Sequence, residues 1–213
     1  MVNNCEFIDW GVVDYAEAYQ RQKELVKNVI KGGPQKLIVC EHPAVLTCGR
    51  TTKIDSLLAP GSVLEKQGIP VIKVDRGGDI TLHSPGQLVI YPIFNLGFYR
   101  RDLHVFLRKL EQTIIDLLSG FGIVANRIPD RTGVWVGGKK IASIGIGVSK
   151  WVSYHGVGFN FATDLSLFSL IRPCGLDVTM TSLQKLSKNE ISREEVLSRL
   201  KEKFRIEFDL KYL

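Results

Sequence analysis

Apolar side chains recur at helical spacing in three parts of the chain. After Asp14, with Glu17 three residues on in a capping-box-like start, Tyr15, Ala18, Tyr19, Val26, Val29 and Ile30 trace a helical face until Gly32-Gly33-Pro34 stops it. The clearest amphipathic stretch carries Leu103, Phe106, Leu107, Leu110, Ile114, Leu117 and Leu118 and is closed by Gly120 and Gly122. A last helix, capped by Ser192 and Glu195, is predicted to run to about Phe204, after which "RIEFDL" alternates like a final edge strand. Between these stretches the apolar runs are shorter and broken by Gly and Pro. "KLIVCEHPAVLTCGR" gives two strands around a proline, and "GIPVIKVDRGGDITLHSPGQLVIYPIFNL" gives several more. Further strands are expected at Val134–Val136, Ile141–Val148 and Trp151–Phe161. Helices separated by groups of strands, without regular alternation, predict an α+β fold: a mostly antiparallel or mixed sheet with flanking helices.

Length adds that this is one catalytic domain. The chain has 213 residues, enough for a real core, with the stretch from about Ser187 read as a small C-terminal extension. Its 45% hydrophobic and 23% charged content excludes disordered and collagen-like classes. No run approaches the roughly 20 apolar residues of a membrane span. "MVNNCEFIDWG" lacks the pattern of a secretory signal or transit peptide, so the expected compartment is the cytoplasm. Cys5, Cys40, Cys48 and Cys174 are irregularly spaced and do not form a disulfide framework. The net charge of +6 admits an acidic partner, but the basic residues are scattered, as on a solvated surface.

Three loops hold residues that packing alone does not require. In "DRGGDITLHSPGQLVIYP", Gly77 and Gly78 let backbone approach a ligand, Arg76 supplies a planar cation, and His83 can donate, accept or carry a proton. The bland alternative is a glycine turn with a satisfied core histidine. In "GGKKIASIGIGVSKWVSYHGVGFN", Lys140 opens an apolar strand, where its charge is costly unless used or exposed. A solvent-facing strand-edge lysine is the commoner case. His155 stands beside Gly156 and Gly158, and Gly145-Ile146-Gly147 lacks the third glycine of a dinucleotide fingerprint. In "LIRPCGLDVTMTSL", Pro173 and Gly175 place Cys174 on a turn. A nearby cation would raise its thiolate fraction, with Lys140, His83 and His155 as candidates. Cys40, His42 and Cys48 lack a CxxC knuckle and a fourth ligand for zinc. No Walker, HExxH or GxSxG motif occurs.

Together "RGGDITLHSPGQLVIYPI", "GGKKIASIG" with "HGVGFN", and "IRPCGLDVTMTSL" resemble, in order and spacing, the octanoyltransferases of lipoate biosynthesis, from the N-terminal helix to about Leu183. The resemblance implies the catalytic fold of biotin and lipoate protein ligases. It also implies transfer of an octanoyl or lipoyl group from acyl carrier protein to a lysine of lipoyl domains, such as those of 2-oxoacid dehydrogenase or glycine cleavage proteins. On its motifs Cys174 is the nucleophile that becomes an acyl thioester, and Lys140 its activating partner. Arg76, Gly77, Gly78, Asp79, Ile80, Thr81, Leu82 and His83 form one wall of the acyl site. Ser143, Ile144, Gly145, Gly156, Val157 and Gly158 form the other. Leu82 stands where the family usually has an aromatic, a departure that bears on acyl-chain fit. Gly145, Gly156 and Gly158 are read as leaving room for the eight-carbon tail. No cofactor, metal, nucleic acid or membrane is implied. An ATP-dependent ligase of the same fold, which would not need Cys174, and a basic nucleic-acid-binding module are the alternatives.

Overall fold

The computed structural model describes residues 3–172 and 178–213. Helix α1 (Tyr15–Ile30) starts where the Asp14 carboxylate accepts hydrogen bonds from the Ala16 and Glu17 amides, at 2.8 and 3.2 Å. These amides have no partner within the helix, which is why an acidic cap fixes the start. Tyr15, Ala18, Gln22, Val26 and Val29 form its buried stripe.

The stripe lies on an eight-stranded sheet of order β11-β1-β2-β6-β10-β9-β8-β7. Its members are β1 (Asn4–Val12), β2 (Gln35–Glu41), β6 (Gln87–Ile93), β7 (Asn126–Ile128), β8 (Arg131–Val136), β9 (Lys139–Ser149), β10 (Val152–Asn160) and β11 (Lys211–Tyr212). Strands β11, β1 and β2 run parallel; the remaining pairings are antiparallel. Strict alternation sends Ile38, Cys40, Val89, Tyr91 and Ile93 toward α1. It sends Leu37, Val39, Leu88, Ile90, Val157 and Phe159 to the other face, which α3 (Leu103–Ser119) and α5 (Arg193–Phe208) cover. Strand β1 went unread because only Cys5 along it is fully buried, so no apolar alternation marks it.

A second, three-stranded sheet is built from β3 (Val45–Cys48), β4 (Val71–Lys73) and β5 (Ile80–His83), in order β4-β3-β5, with the short α2 (Gly61–Lys66) between β3 and β4. Leu46, Leu64, Ile69, Ile80 and Leu82 make its core, closed by Phe168, Ile171 and Met180. No helix among the described residues is long and apolar enough to cross a membrane.

One expectation is overturned at the C-terminus. "RIEFDL" is not a strand: its first four residues complete α5, and Asp209, in the left-handed region at φ 50°, ends the helix before β11. Val196, Leu200, Phe204 and Phe208 recur every fourth residue and are all buried, so the helical stripe outweighs a short alternation that coincides with it. Phe208 packs its ring 5.3–5.6 Å from those of Phe94, Tyr99, Phe106 and Phe204, inside the core shared with α3.

A strand would put Ile206 and Phe208 on one face; the helix separates them, leaving Ile206 60% exposed and Phe208 buried. Phe208→Ala is therefore expected to cost about 3–5 kcal/mol in urea unfolding. Ile206→Ala should stay within about 0.5 kcal/mol of the parent. Similar losses from both would contradict the helical register.

Candidate active site

A cavity of about 430 Å³ opens where the small sheet meets β9 and β10. Residues 76–81 and His83 line one side; Lys140 and residues 143–145 and 156–158 line the other. Leu82 is the exception among the expected wall residues. It is fully buried in the core of the small sheet, because alternation along β5 turns Thr81 and His83 toward the cavity and Leu82 into that core, while Ile80, at the start of the strand, borders both. The departure at Leu82 thus concerns packing behind the wall.

The glycines also need a different explanation. A Cβ at Gly156 would sit 2.1 Å from the Ile90 carbonyl oxygen, and one at Gly145 would sit 2.8 Å from the Gly77 carbonyl oxygen. At Gly158 it would meet the Gln87 Oε1 at 3.0 Å. These three positions are small because neighbouring protein groups approach them, not to make space for a tail. Gly145 lets the 76–78 loop lie against β9, where the Gly77 amide donates to the Ile146 carbonyl at 2.9 Å. Arg76 is buried there, with Nη2 donating to the Thr47 carbonyl and hydroxyl at 2.6 and 3.0 Å, which fastens the loop to β3.

The residue before Arg76 carries more of the architecture than its sequence context suggested. The Asp75 carboxylate accepts from Tyr19 and Lys23 on α1 and from Tyr154 and His155 on β10, at 2.7–2.9 Å. Consecutive strand residues normally point to opposite faces. His155 has φ 56°, and that turn brings Tyr154 and His155 onto the same carboxylate. Burial works against the Asp75 charge, but these hydrogen bonds outweigh it and hold its carboxyl well below the usual range.

Burial disfavours the charged form of the histidines at the cavity. Burial pulls His83 down to about 3 and His155 to about 4, the latter despite the opposing pull of Asp75. Gln87 Nε2 donates to the Leu82 carbonyl and to Asn160 Oδ1, so its Oε1 accepts from His83 Nδ1, at 2.6 Å. Asn160 Nδ2 in turn donates to the Thr181 carbonyl at 3.1 Å. His83 therefore carries its hydrogen on Nδ1. His42, also lowered by burial, uses Nδ1 on the Val13 carbonyl and Nε2 on the Tyr91 hydroxyl, both at 2.7 Å. Cys48 lies apart on β3, and no group of three His, Cys, Asp or Glu among the described residues is arranged to hold a metal.

Lys140 is 2% exposed, while the adjacent Lys139 is exposed to solvent. Its ammonium lies 5.3 Å from the centre of the Trp135 ring. Its main chain pairs with the segment beyond Cys174: the Lys140 amide donates to the Thr179 carbonyl and the Thr181 amide donates to the Lys140 carbonyl, both at 2.9 Å. Cys174 itself, with Pro173 and Gly175, lies outside the described residues. Upstream, the Arg172 amide donates to the Ser56 carbonyl at 2.8 Å, and the Ser56 hydroxyl donates to Asp79 at 2.6 Å. Downstream, Val178 lines the cavity. Tyr15, Tyr91 and Trp135 also line the cavity. Sequence reading took Tyr15 for a packing position of α1 and Trp135 for a strand residue, and nothing in their spacing marks a site.

The lipoyl protein ligase A/B catalytic domain family matches residues 14–205. An octanoyltransferase from Solibacter usitatus is 44% identical over 213 residues, covering 100% of this chain and 96% of that protein. Among solved structures, the fold is similar to the bi-partite lipoate protein ligase of Thermoplasma acidophilum, with TM-score 0.76 and 15% identity, covering 99% of this chain and 86% of that one. Biotin protein ligase from Aquifex aeolicus matches with TM-score 0.53 and 16% identity, over 98% and 70% of the two chains. These two likenesses establish the catalytic fold expected from the sequence.

The buried histidines set the acid stability. His42, His83 and His155 stay neutral in the folded chain below the pH at which they protonate when unfolded, about 6.5. The unfolded state then binds more protons, so stability is full above that pH and falls as pH drops toward 4. The slope approaches about 1.4 kcal/mol per pH unit for each of His83 and His155, and His42 adds in the same direction. Urea midpoints measured from pH 7.5 to 4.5 should fall steeply below 6.5; a flat profile to pH 5 would show that these rings are not held neutral. The contribution of Asp75 is lost only at lower pH, because its carboxyl is depressed.

Proposed function

The chain belongs to the lipoyl protein ligase A/B catalytic family, among its octanoyltransferases, and we propose that it takes an octanoyl group from acyl carrier protein, holds it as a thioester on Cys174, and passes it to a lysine of a lipoyl domain. The protein is an acyltransferase of lipoate biosynthesis, carrying out lipoyl/octanoyl transfer. The donor, the cysteine intermediate and the acceptor are the proposed part.

The observation that carries this reading is the pairing of Lys140 with Thr179 and Thr181. It ties the chain just beyond Cys174 to the main chain of the one lysine that faces the cavity from β9. In the resting pair the Cys174 thiol proton sits on Lys140 as an ammonium; in the first half-reaction the thiolate attacks the thioester carbonyl and Lys140 gives that proton to the departing carrier sulfur, which leaves as a thiol. In the second, the acceptor amine attacks the acyl-enzyme, the Cys174 sulfur departs as the thiolate, and the proton lost by the amine returns to Lys140, which restores the starting pair. Exchange of one thioester for another conserves the activation of the acyl group, so no nucleotide is needed. The described cysteines suit this task poorly. Burial pushes Cys5 up to about 12 and raises Cys40 and Cys48 as well, which leaves them protonated and inert.

The cavity fits the acyl group in size class and lining. Its volume of about 430 Å³ lies in the range of small-molecule pockets, with Ile144, Ile146, Val157 and Trp135 offering apolar surface. Neutral His83 and His155 place no ion against a hydrocarbon chain. The Thermoplasma acidophilum ligase is described together with its E2 lipoyl domain, and a lipoyl domain is the acceptor proposed here. A chain of net charge +6 favours encounter with acidic carrier and acceptor domains.

Incubation with octanoyl-carrier protein should add one octanoyl mass to the intact protein, mapped to Cys174, and Cys174→Ser should abolish turnover. Lys140→Ala should lower the rate by about 10²–10⁴-fold, while Lys139→Ala should be nearly silent. Initial-rate lines should be parallel and unaffected by ATP or magnesium. Transfer of free octanoate only with ATP, with the carrier-bound group ignored, would establish a ligase instead.

A further inference from the structure

Glu111 is a buried carboxylate outside the cavity lining, with its side chain 1% exposed in the middle of α3. Its Oε2 accepts from Arg108 Nη1 at 2.6 Å and from Arg127 Nε at 2.9 Å. Its Oε1 takes the Gly133 amide hydrogen at 3.0 Å. A strand amide of β8 is thus bonded to a helix side chain, an arrangement ordinary sheet pairing does not produce.

Gly133 is constrained twice. Its φ of 128° is one that residues with a side chain rarely adopt, and a Cβ there would lie 2.5 Å from Lys140 Cε, 2.6 Å from the Ala142 carbonyl oxygen and 3.3 Å from Lys140 Nζ. The space beside Gly133 is therefore taken by the end of the Lys140 side chain and by the β9 backbone. The Trp135 ring lies 5.3 Å from the same ammonium. The β8–β9 register slips here: Val134 pairs with Ala142 and Trp135 with Lys140, leaving Ile141 as the extra residue of a bulge. Bulges bend a strand and re-aim the side chains beside it. Glycine notch, bulge and tryptophan all bear on where the Lys140 side chain sits.

We propose that Glu111 is a positioning residue for Lys140, acting through the Gly133 amide to hold the notch in which the lysine is seated. The inference rests on the role given to Lys140 above. Anchoring the notch to α3 ties the position of the ammonium to a helix rather than to a bulged strand alone. Without the Oε1 acceptor the Gly133 amide loses its partner and the notch is free to shift. Misplacement of a reacting group by about 1 Å typically costs about 10²-fold in rate.

The test is a double-mutant cycle read by the rate of Cys174 acylation from octanoyl-carrier, with thermal melting to verify that each variant is folded at the assay temperature. Glu111→Ala should lower kcat by about 10–10²-fold with little change in KM. In the Lys140→Ala background the same substitution should cost nothing further, because its effect is transmitted by the lysine. Arg108→Ala removes an ion pair from the same carboxylate but leaves the Gly133 hydrogen bond. It should lower the melting temperature and leave kcat near that of the parent, which separates positioning from simple stabilisation.

Gly133→Ala supplies a readout independent of activity and of Glu111. Its stability cost should be smaller in Lys140→Ala, where the Cε that its Cβ would strike is absent, with the remainder set by the Ala142 carbonyl and the positive φ. Equal losses from Glu111→Ala with and without Lys140, or an unchanged kcat in Glu111→Ala while Lys140→Ala is impaired, would overturn the proposal alone. Full activity of Lys140→Ala would instead remove the reading on which it rests, and the proposal with it.

Discussion

Strand β10 pairs with β9 along most of its length and with β6 over its last four residues, and it stays buried even where it lines the cavity. All nine of its residues are buried between β6 and β9. Any polar side chain it carries must find its partner inside the protein or cost several kcal/mol. Ser153, His155 and Asn160 each do: with the Pro92 carbonyl, with Asp75, and with Gln87 and Thr181. Those partners belong to β6, the 76–78 loop region and the segment after Cys174. The need to satisfy one strand therefore assembles the surroundings of the cavity, and α1 is drawn in through Tyr19 and Lys23.

What could be read in the sequence follows from how each element is buried. Helices α1 and α3 have one buried face and one wet face, so spacing and caps located them, Asp14 included. Strands β9 and β10 were found to within two residues at each end because long apolar runs between Gly and Pro leave few alternatives. Strand β1 stayed hidden because its side chains are only half-buried. The end of α5 was misread because Ile206, Phe208 and Leu210 alternate by chance along a helix whose true stripe repeats every fourth residue.

The site was legible unevenly, for a related reason. Arg76 stood out as a cation in a glycine-rich loop, and His83 and Lys140 because titratable groups in apolar strands demand an explanation. Asp75, Glu111 and Gly133 did not, since their roles depend on partners far away in the chain: Tyr154 for the first, and each other for the second and third. The glycines of β9 and β10 were singled out but given the wrong reason. A missing side chain records a close neighbour as readily as an open space, and only coordinates tell which. The fold is shared with ligases that act on lipoate and biotin, so architecture alone does not choose the chemistry.

The hydrogen-bond chain from His83 through Gln87 and Asn160 to Thr181 has a consequence beyond tethering. Its last acceptor is a backbone carbonyl, which can never donate. Of all the ways to orient two amides and an imidazole, only one leaves no donor facing a donor. The chain is proton-ordered, like a thread of ice with a single allowed arrangement, and it holds no residual orientational entropy. The side of the His83 ring that bears hydrogen is thus decided at Thr181, three links away, the same residue whose amide pairs with the Lys140 carbonyl.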